Sequence, residues 1–336
     1  MMKRIPRIVP ALCGLVLCAL PAMLHAQVEI KLASSLPRNS DWGRTLDRIA
    51  ADWNRATNGE VSLNVFHQRA GSEDDYLKWL RQDRLQAAVL TSSALYSIAP
   101  EVLALSIPFL IRDNDEFDAV LRETRPILDA RIEAKGYKNL VWAKAGWVKI
   151  FSRSPVFTPD DLRKLRVATN PGDKKLADAF KAMGFQMVGA TMTEIPQFLA
   201  SKRIDALYQS PIAVEATQLY RMANNMCSVN LAPFMGGILM SRRGWEQIPE
   251  RYRDRLLDIT RRAGIEIESS FIRREQESIN AMRAGGITIN EVSARDEMIW
   301  YQDMADRLPD MINRNIFHRE MYQRIVAILE NYRRSR

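Results

Sequence analysis

Cysteine and histidine are both scarce in this chain. Its 336 residues include three cysteines and three histidines. Cys13 and Cys18 lie in an apolar N-terminal stretch that we expect to be removed, which leaves Cys227 as the one thiol of the mature chain. A disulfide within the mature chain is therefore excluded, and Cys227 is expected to act as a small buried apolar residue. No cysteine or histidine pair has the spacing of a metal site, so the sequence predicts no bound metal.

The sequence also lacks the motifs that many enzymes share. It has no glycine-rich phosphate loop and no glycine-flanked nucleophilic serine, so acyl and phosphoryl transfer have little support. His67 is typical of a surface histidine at a strand end, and His318 of a residue on a helix surface. The acidic run 73–75 is typical of solvated charge at a helix N-terminus. We predict no catalytic residues, no cofactor and no enzymatic activity; the competing interpretation, a periplasmic enzyme, would require clustered titratable groups in a cleft.

Compositional bias and internal repeats are absent as well. With 15 glycines, 15 prolines and 47% apolar residues, the composition excludes collagen, coiled-coil and disordered classes. The length of 336 residues suggests two domains, at roughly 150 residues for each. Removal of the N-terminal segment takes away Lys3, Arg4 and Arg7 and leaves 45 basic against 40 acidic residues. Because the basic residues are spread along the chain, we do not expect nucleic acid as a partner.

The first 26 residues have the pattern of an export signal. Three basic residues precede an almost wholly apolar run over 8–24, and Ala26 precedes Gln27. We expect cleavage after Ala26 and a periplasmic protein. Pro10 and Pro21 interrupt the apolar run, so a permanent membrane anchor is less favoured.

Short strands alternate with helices along the mature chain, and this predicts parallel pairing in an α/β fold. Strands are predicted at 28–33, 61–66, 87–90, 140–143, 148–151, 165–168, 186–188, 204–208 and 287–289. In such sheets ligands bind at the carboxyl ends of strands. Polar residues follow three predicted strands, at 34–35, 67–68 and 91–93. The segment 249–283 has apolar residues in helical register and only Gly264 as a breaker, which predicts one long helix that could bridge two lobes.

Six short motifs occur in an order that resembles a known family. They are Ile30-Lys31-Leu32-Ala33, Thr57-Asn58-Gly59-Glu60-Val61, Ile107-Pro108-Phe109-Leu110, Thr158-Pro159-Asp160-Asp161-Leu162, Phe180-Lys181-Ala182-Met183-Gly184 and Ile204-Asp205-Ala206. Over 27–332 the chain resembles the DctP-type extracytoplasmic solute-binding proteins of TRAP (tripartite ATP-independent periplasmic) transporters. The resemblance rests on the order and spacing of the six motifs together, since none of them is decisive alone.

The resemblance implies an α/β, two-lobed periplasmic-binding-protein (Venus-flytrap) fold with crossing hinge strands and a long interdomain helix. We expect one lobe at 27–149 plus 237–275 and the other at 150–236 plus 276–336, with crossings near 150, near 236 and within the long helix. The implied function is capture of a small-molecule ligand by cleft closure and its delivery to the membrane subunits of a TRAP permease. Part of the family works with an additional helical-repeat periplasmic partner, which a ligand of low polarity would favour.

The chain departs from the family where carboxylates are usually bound. The family's usual arginine on the strand after the Asp-Leu turn falls on Ala168 here, and the arginine expected after Gly146-Trp147 is replaced by Val148. An acid in a closed cleft would then be an unpaired charge. This predicts an apolar or amphipathic ligand rather than a simple dicarboxylate. Arg166 lies two residues before Ala168. A shift of two residues keeps a side chain on the same face of the strand and moves it roughly 6 to 7 Å along that strand. An organic-acid-binding protein with Arg166 as its clamp is therefore an alternative.

Candidate ligand-binding residues lie at or near the expected strand ends. The large apolar candidates are Phe109, Trp147, Tyr208, Phe234 and Met235. The smaller or polar candidates are Ser35, Thr91, Ser92, Arg166, Ala168, Thr169 and Gln209. Each large side chain taken alone is better explained by packing in the core of a lobe. As a group they indicate more, because an apolar wall with a few hydrogen-bonding groups would suit an amphipathic ligand. A ligand-sensing periplasmic subunit without a transport role is a further alternative.

Overall fold

The computed structural model describes residues 28–336. The predicted signal segment 1–26, with Cys13, Cys18 and the cleavage site after Ala26, lies outside the described residues. Strands occur at β1 (Val28–Ala33), β2 (Val61–Phe66), β3 (Ala87–Thr91), β4 (Tyr137–Ser152), β5 (Arg166–Thr169), β6 (Gln186–Gly189), β7 (Ala206–Gln209), β8 (Asn225–Cys227), β9 (Ala232–Ser241) and β10 (Thr288–Asn290).

Helices follow or precede most of these strands, as the predicted alternation requires. They are α1 (Asp41–Ala56), α2 (Glu73–Arg81), α3 (Ser92–Ile98), α4 (Asn114–Ala134), α5 (Pro159–Arg163), α6 (Lys174–Ala182), α7 (Ile195–Ala200), α8 (Pro211–Ala216), α9 (Arg242–Gln247), α10 (Glu250–Ala284), α11 (Ala294–Asn313) and α12 (Arg319–Arg334). A 3₁₀ segment at Pro100–Ser106 follows α3.

The first strand–helix–strand unit forms where local chemistry predicts it. Ser40 caps α1, because its hydroxyl accepts a hydrogen bond from the Gly43 N–H at 3.0 Å. The helix ends before Gly59, whose φ of +82° is a conformation that glycine adopts at little cost. β1 and β2 then pair in parallel, with Val28 opposite Val61. The predicted bounds of both strands are confirmed.

The strands form two sheet regions that share β4. Their order is β2-β1-β3-β9-β4-β7-β5-β6. We call β1, β2, β3, β9 and the first part of β4 the first lobe, and β5, β6, β7, β8, β10 and the end of β4 the second lobe. β4 pairs with β9 as far as Val148 and with β7 from Lys149 to Ser152. The predicted α/β class and two-lobed fold are confirmed, while the lobe boundaries stay predictions.

β4 corrects one prediction from the sequence. Separate strands were expected at 140–143 and 148–151, but a single strand of 16 residues spans both. Its pairing with β9 shifts register between Lys144 and Trp147, and Gly146 has a φ of +90°. A left-handed residue followed by a register shift bends a strand without ending it, so the gap between the two predicted strands is a bend within one strand, between the lobes.

Helix α10 confirms the predicted long helix and contacts both lobes. Its first half packs on α1 and β4, with Leu256 and Ile267 in the core of the first lobe. Its second half packs on α8, with Met282 in the core of the second lobe. Gly264 lies where a Cβ atom would collide with the Val141 side chain, so close helix–strand packing explains this glycine.

The prediction about Cys227 can be compared with the structure. Cys227 is fully buried, as expected, and burial raises the pKa of its thiol to about 11. Within residues 28–336, no helix combines the length and apolar character that a membrane crossing needs.

Candidate functional site

A cavity of about 230 Å³ lies between the two lobes, and we call it the interlobe cavity. Thr91 at the end of β3 contributes from the first lobe, whereas Thr169 at the end of β5 and Gln209 at the end of β7 contribute from the second. The cavity therefore lies at the carboxyl ends of parallel strands, where ligands bind in α/β sheets.

Apolar side chains supply most of the surface of the interlobe cavity. The apolar lining residues are Pro108, Val148, Ala168, Leu176, Phe180, Ala190, Met192, Ile195, Leu207, Leu231, Ala232, Pro233 and Phe234. The rings of Phe180 and Tyr208 lie 4.8 Å apart between centroids in a tilted arrangement. Such a wall suits an apolar portion of a ligand, because burying that portion releases water from both surfaces.

Hydroxyl and amide groups interrupt this apolar wall at a few places. The Tyr208 hydroxyl and Thr169 Oγ1 share a hydrogen bond of 2.9 Å. Burial raises the pKa of Tyr208, so the phenol keeps its proton at neutral pH. Gln209 Oε1 accepts from the Ser210 N–H at 2.9 Å, which fixes the orientation of the amide. These groups can orient a polar portion of a ligand.

The charge of the lining is negative. Among the described residues that line the interlobe cavity, Asp173 alone is charged, and it is 9% exposed. The Tyr96 hydroxyl, from α3 of the first lobe, donates a hydrogen bond to Asp173 Oδ1 across the cleft. Burial and this hydrogen bond both raise the pKa of Tyr96. The cavity thus has a carboxylate on one wall and a protonated phenol that reaches it from the other.

A second carboxylate lies just behind the wall. Glu73 Oε1 accepts from the Thr91 N–H at 2.7 Å, and Oε2 accepts from the Thr91 hydroxyl at 2.6 Å. Burial raises the pKa of Glu73, the two bonds from Thr91 lower it, and the charge of Asp173 raises it further. The prediction of solvated helix charge at 73–75 is therefore wrong for Glu73, because the end of β3 packs over it.

Lys149, which is adjacent in sequence to the lining residue Val148, points away from the cavity. Lys149 follows Val148 on β4, so its side chain lies on the other face of the strand. Its ammonium group donates to the Ser228 carbonyl at 2.7 Å and to Asn230 Oδ1 at 2.9 Å, and burial lowers its pKa. The ammonium group of Lys149 is thus already hydrogen-bonded within the second lobe and cannot pair with an anion in the cavity.

The predicted candidates divide into two groups in the structure. Thr91, Ser92, Ala168, Thr169, Tyr208, Gln209 and Phe234 line the interlobe cavity, and Ser35, Phe109, Trp147, Arg166 and Met235 do not. Ser35 is exposed beyond the end of β1. Arg166 lies at the amino end of β5, away from the cavity, where it forms an ion pair with Asp205 through Nε and Oδ2 at 2.7 Å. A clamp role for Arg166 is not supported by this geometry.

The three apolar candidates outside the cavity are core residues. Trp147 is 6% exposed, and its indole N–H donates to Asn114 Oδ1 at 3.0 Å. Phe109 packs its ring 4.9 Å from that of Trp300. Met235 is 1% exposed in the core cluster that also holds Trp147. Residues on β4 and β9 alternate between faces, which is why Phe234 lines the cavity and its neighbour Met235 packs inside the protein.

Some residues at the cavity were not predicted from the sequence. Asn170 and Asp173 follow β5, so the rule of polar residues at strand ends could have identified them. Nothing in the local pattern indicates Tyr96, because its contact with Asp173 joins residues 77 positions apart.

The prediction of a surface His67 is also wrong: its side chain is 6% exposed, and Nε2 lies 2.8 Å from Asp47 Oδ1. His318 caps the N-terminus of α12. Residues 28–336 contain no group of three or more side chains that could hold a metal ion.

A family model decides the relationship of the chain to known proteins. The model of bacterial extracellular solute-binding protein family 7, DctP, matches residues 32–315. This chain belongs to that family. The family consists of solute-binding proteins for transport, and the resemblance to TRAP solute-binding proteins is confirmed.

Individual relatives are distant in sequence and close in fold. A solute-binding protein of Sulfitobacter sp. (strain NAS-14.1) is 24% identical over 83% of this chain and 86% of its own length. The 2,3-diketo-L-gulonate-binding periplasmic protein YiaO of Escherichia coli (strain K12) is 23% identical over 77% of this chain and 79% of its own. A TRAP periplasmic solute-binding protein from Roseobacter denitrificans, solved with bound β-D-glucuronate, superposes with a TM-score of 0.80. It is 20% identical, over 89% of this chain and 99% of its own.

Proposed function

We propose that this DctP-family protein is a non-enzymatic periplasmic receptor that captures an amphipathic small molecule in the interlobe cavity and delivers it to a TRAP permease. Closure of the two lobes about the bend in β4 would enclose the ligand, as in other two-lobed binding proteins. The single observation that carries the ligand class is that Ala168 lines the cavity, at the position where the resemblance to the family implies an arginine.

The charges around the cavity support this class of ligand. No arginine or lysine is among the described residues that line the interlobe cavity, and Asp173 contributes a negative charge. A carboxylate ligand enclosed here would lose its hydration without gaining a cationic partner, which is costly in a buried site. The Phe180–Tyr208 wall offers an apolar surface, while Thr169 and Gln209 offer hydrogen bonds. An amphipathic ligand without a carboxylate matches this combination.

Acidic sugars are the second candidate, and the ligands named for two relatives favour them. YiaO is named for 2,3-diketo-L-gulonate, and the Roseobacter denitrificans protein holds β-D-glucuronate. Both compounds are acids, and the predicted hydrophobic ligand conflicts with them. For this chain, the exposed Arg166–Asp205 pair argues against an acid bound through Arg166. The helical-repeat partner and the cleavage site after Ala26 stay predictions.

Mass spectrometry of the purified protein tests the proposed ligand class. The mature protein would be purified without denaturation, and its native mass compared with its denatured mass. We expect an excess mass that belongs to a compound without a carboxylate, together with no heat of binding on titration of D-glucuronate. A co-purified acid, or D-glucuronate binding in the micromolar range, would refute the proposed ligand class. Loss of uptake of the identified compound in cells that lack this protein would support transport over a purely sensory role.

A further inference from the structure

The wall of the interlobe cavity contains a buried carboxylate with one unused oxygen. Asp173 is 9% exposed and lines the cavity. Its Oδ1 atom accepts the hydrogen bond from Tyr96. Its Oδ2 atom has neither a hydrogen bond nor an ion pair with any residue in the described part of the chain. Oδ2 is not among the fully buried polar atoms of the described chain, so a ligand in the cavity can reach it and donate a charge-assisted hydrogen bond to it.

The opposite wall adds negative charge to the same space. Thr91 lines the cavity from the first lobe. Glu73 lies directly behind Thr91 and accepts hydrogen bonds from both the N–H and the hydroxyl of Thr91. Because the Thr91 proton is donated to Glu73, the lone pairs of Thr91 Oγ1 are left as acceptors. Asp173 and Glu73 therefore both favour a positive charge between the lobes, and Lys149 is bound elsewhere.

Aromatic rings complete a surface that would accept an organic cation. Tyr208 and Phe180 line the cavity from the second lobe, and Phe234 on β9 lines it from the first. The faces of aromatic rings attract ammonium groups, and the attraction strengthens when water is excluded. The same rings pack well against an apolar skeleton.

Resting on the proposed function, we propose that the ligand is an amphipathic amine whose protonated nitrogen binds Asp173 Oδ2. Asp173 belongs to the second lobe, while Thr91 and Tyr96 belong to the first. A cation between them contacts both lobes only when the cleft is closed. The ligand then makes more contacts in the closed state than in the open state and binds the closed state more tightly. A ligand drives closure only when it has such a difference in affinity.

Three probes with one aromatic skeleton test the charge of the ligand. 2-Phenylethylamine, 2-phenylethanol and phenylacetate would be titrated calorimetrically into the dialysed mature protein at pH 7. We expect the amine to bind about tenfold or more tightly than the alcohol, as a charge-assisted hydrogen bond requires, and phenylacetate to bind most weakly. Equal binding of amine and alcohol overturns the amine inference and leaves the proposed function intact. Tightest binding of phenylacetate overturns both the inference and the proposed ligand class.

The variant Asp173→Asn assigns the effect to this carboxylate. It should weaken binding of 2-phenylethylamine about tenfold and leave 2-phenylethanol unchanged. Asp178→Asn is the matched control, because Asp178 lies on α6, the helix that Asp173 precedes as its N-cap residue, but is exposed and faces Lys181. A thermal melt confirms that each variant folds. An unchanged preference for the amine in Asp173→Asn overturns the assignment, and the wild-type series decides the ligand's charge even if the variant does not fold.

Discussion

Glu275 Oε2 accepts a hydrogen bond from the backbone N–H of Trp147 at 3.2 Å. This contact joins the second half of the long helix α10 to the bend in β4, beside Gly146. Glu275 is 9% exposed. Burial raises the pKa of Glu275 to about 7, although Lys149 and the Trp147 N–H lower it in part. A titratable group therefore lies where the two lobes meet.

The first prediction is that Glu275 makes stability fall as pH rises from about 4.5 to about 7. The pKa is raised in the folded state, so in this window the folded protein keeps a proton that the unfolded chain releases, and the stabilisation is lost as pH passes the folded pKa. The difference between the folded and the unfolded pKa of Glu275 corresponds to roughly 3 kcal/mol in the free energy of unfolding. Urea denaturation of the wild type and Glu275→Gln at pH 5 and pH 8 measures it. The variant should gain stability relative to the wild type at pH 8, and parallel pH profiles would contradict the assignment.

The second prediction separates a cavity residue from a core residue. Tyr208→Ala removes a ring that lines the cavity, so ligand affinity should fall roughly tenfold to a hundredfold. Trp147→Ala leaves a hole in the core and frees Asn114 and should cost about 3–5 kcal/mol of stability. Calorimetric titration with the co-purified compound and denaturant unfolding would be run on both variants. Tyr208→Phe is the control that keeps the ring. Weaker binding in Trp147→Ala with unchanged unfolding would reverse the two roles.

The polar residues at the ends of parallel strands could be predicted from the sequence, because strand and helix periodicity locate those ends. Thr91, Thr169 and Gln209 were identified in this way and line the interlobe cavity. The environment of Glu73 could not be predicted, since only the packing of β3 over α2 decides that its carboxylate binds Thr91 instead of water. The contact between Tyr96 and Asp173 depends on how the two lobes face each other, which no local pattern encodes.

The continuity of β4 illustrates a different limit. Glycine marks turns and strand ends, but an isolated glycine within a strand pattern also marks a bulge. The local sequence around Gly146 does not decide between the two. The strand continues because β9 pairs with it on both sides of Gly146, with a register shift between Lys144 and Trp147. Pairing partners that are distant in sequence therefore decide that β4 is one strand.

The third prediction concerns Arg166, the alternative clamp. Arg166→Ala should leave affinity for the co-purified compound within twofold, because the guanidinium is bound to Asp205 outside the cavity. Lys164→Ala, a change to another exposed cation close by, is the matched control. Calorimetric titration of both variants decides the matter. A large loss of affinity in Arg166→Ala alone would restore the clamp hypothesis.

The last prediction places an arginine at position 168, where the resemblance to the family implies one. Ala168 is 3% exposed and lines the cavity, so Ala168→Arg brings a planar cation to the ligand, suited to bidentate carboxylate binding. This variant should bind D-glucuronate measurably where the wild type does not, and it should bind the co-purified compound more weakly. Ala168→Met adds comparable bulk without charge, so it separates the two effects.

The larger side chain at position 168 will strain the core of the second lobe. Ala168 also packs in the cluster of Phe151 and Leu207, and overpacking such a site costs about 1–3 kcal/mol. Thermal melts of Ala168→Arg and Ala168→Met should therefore shift down together, while D-glucuronate raises the melting temperature of Ala168→Arg alone. If D-glucuronate stabilised the wild type as much as Ala168→Arg, the small residue at this position would not be what excludes acids, and the ligand class argued from it would be wrong.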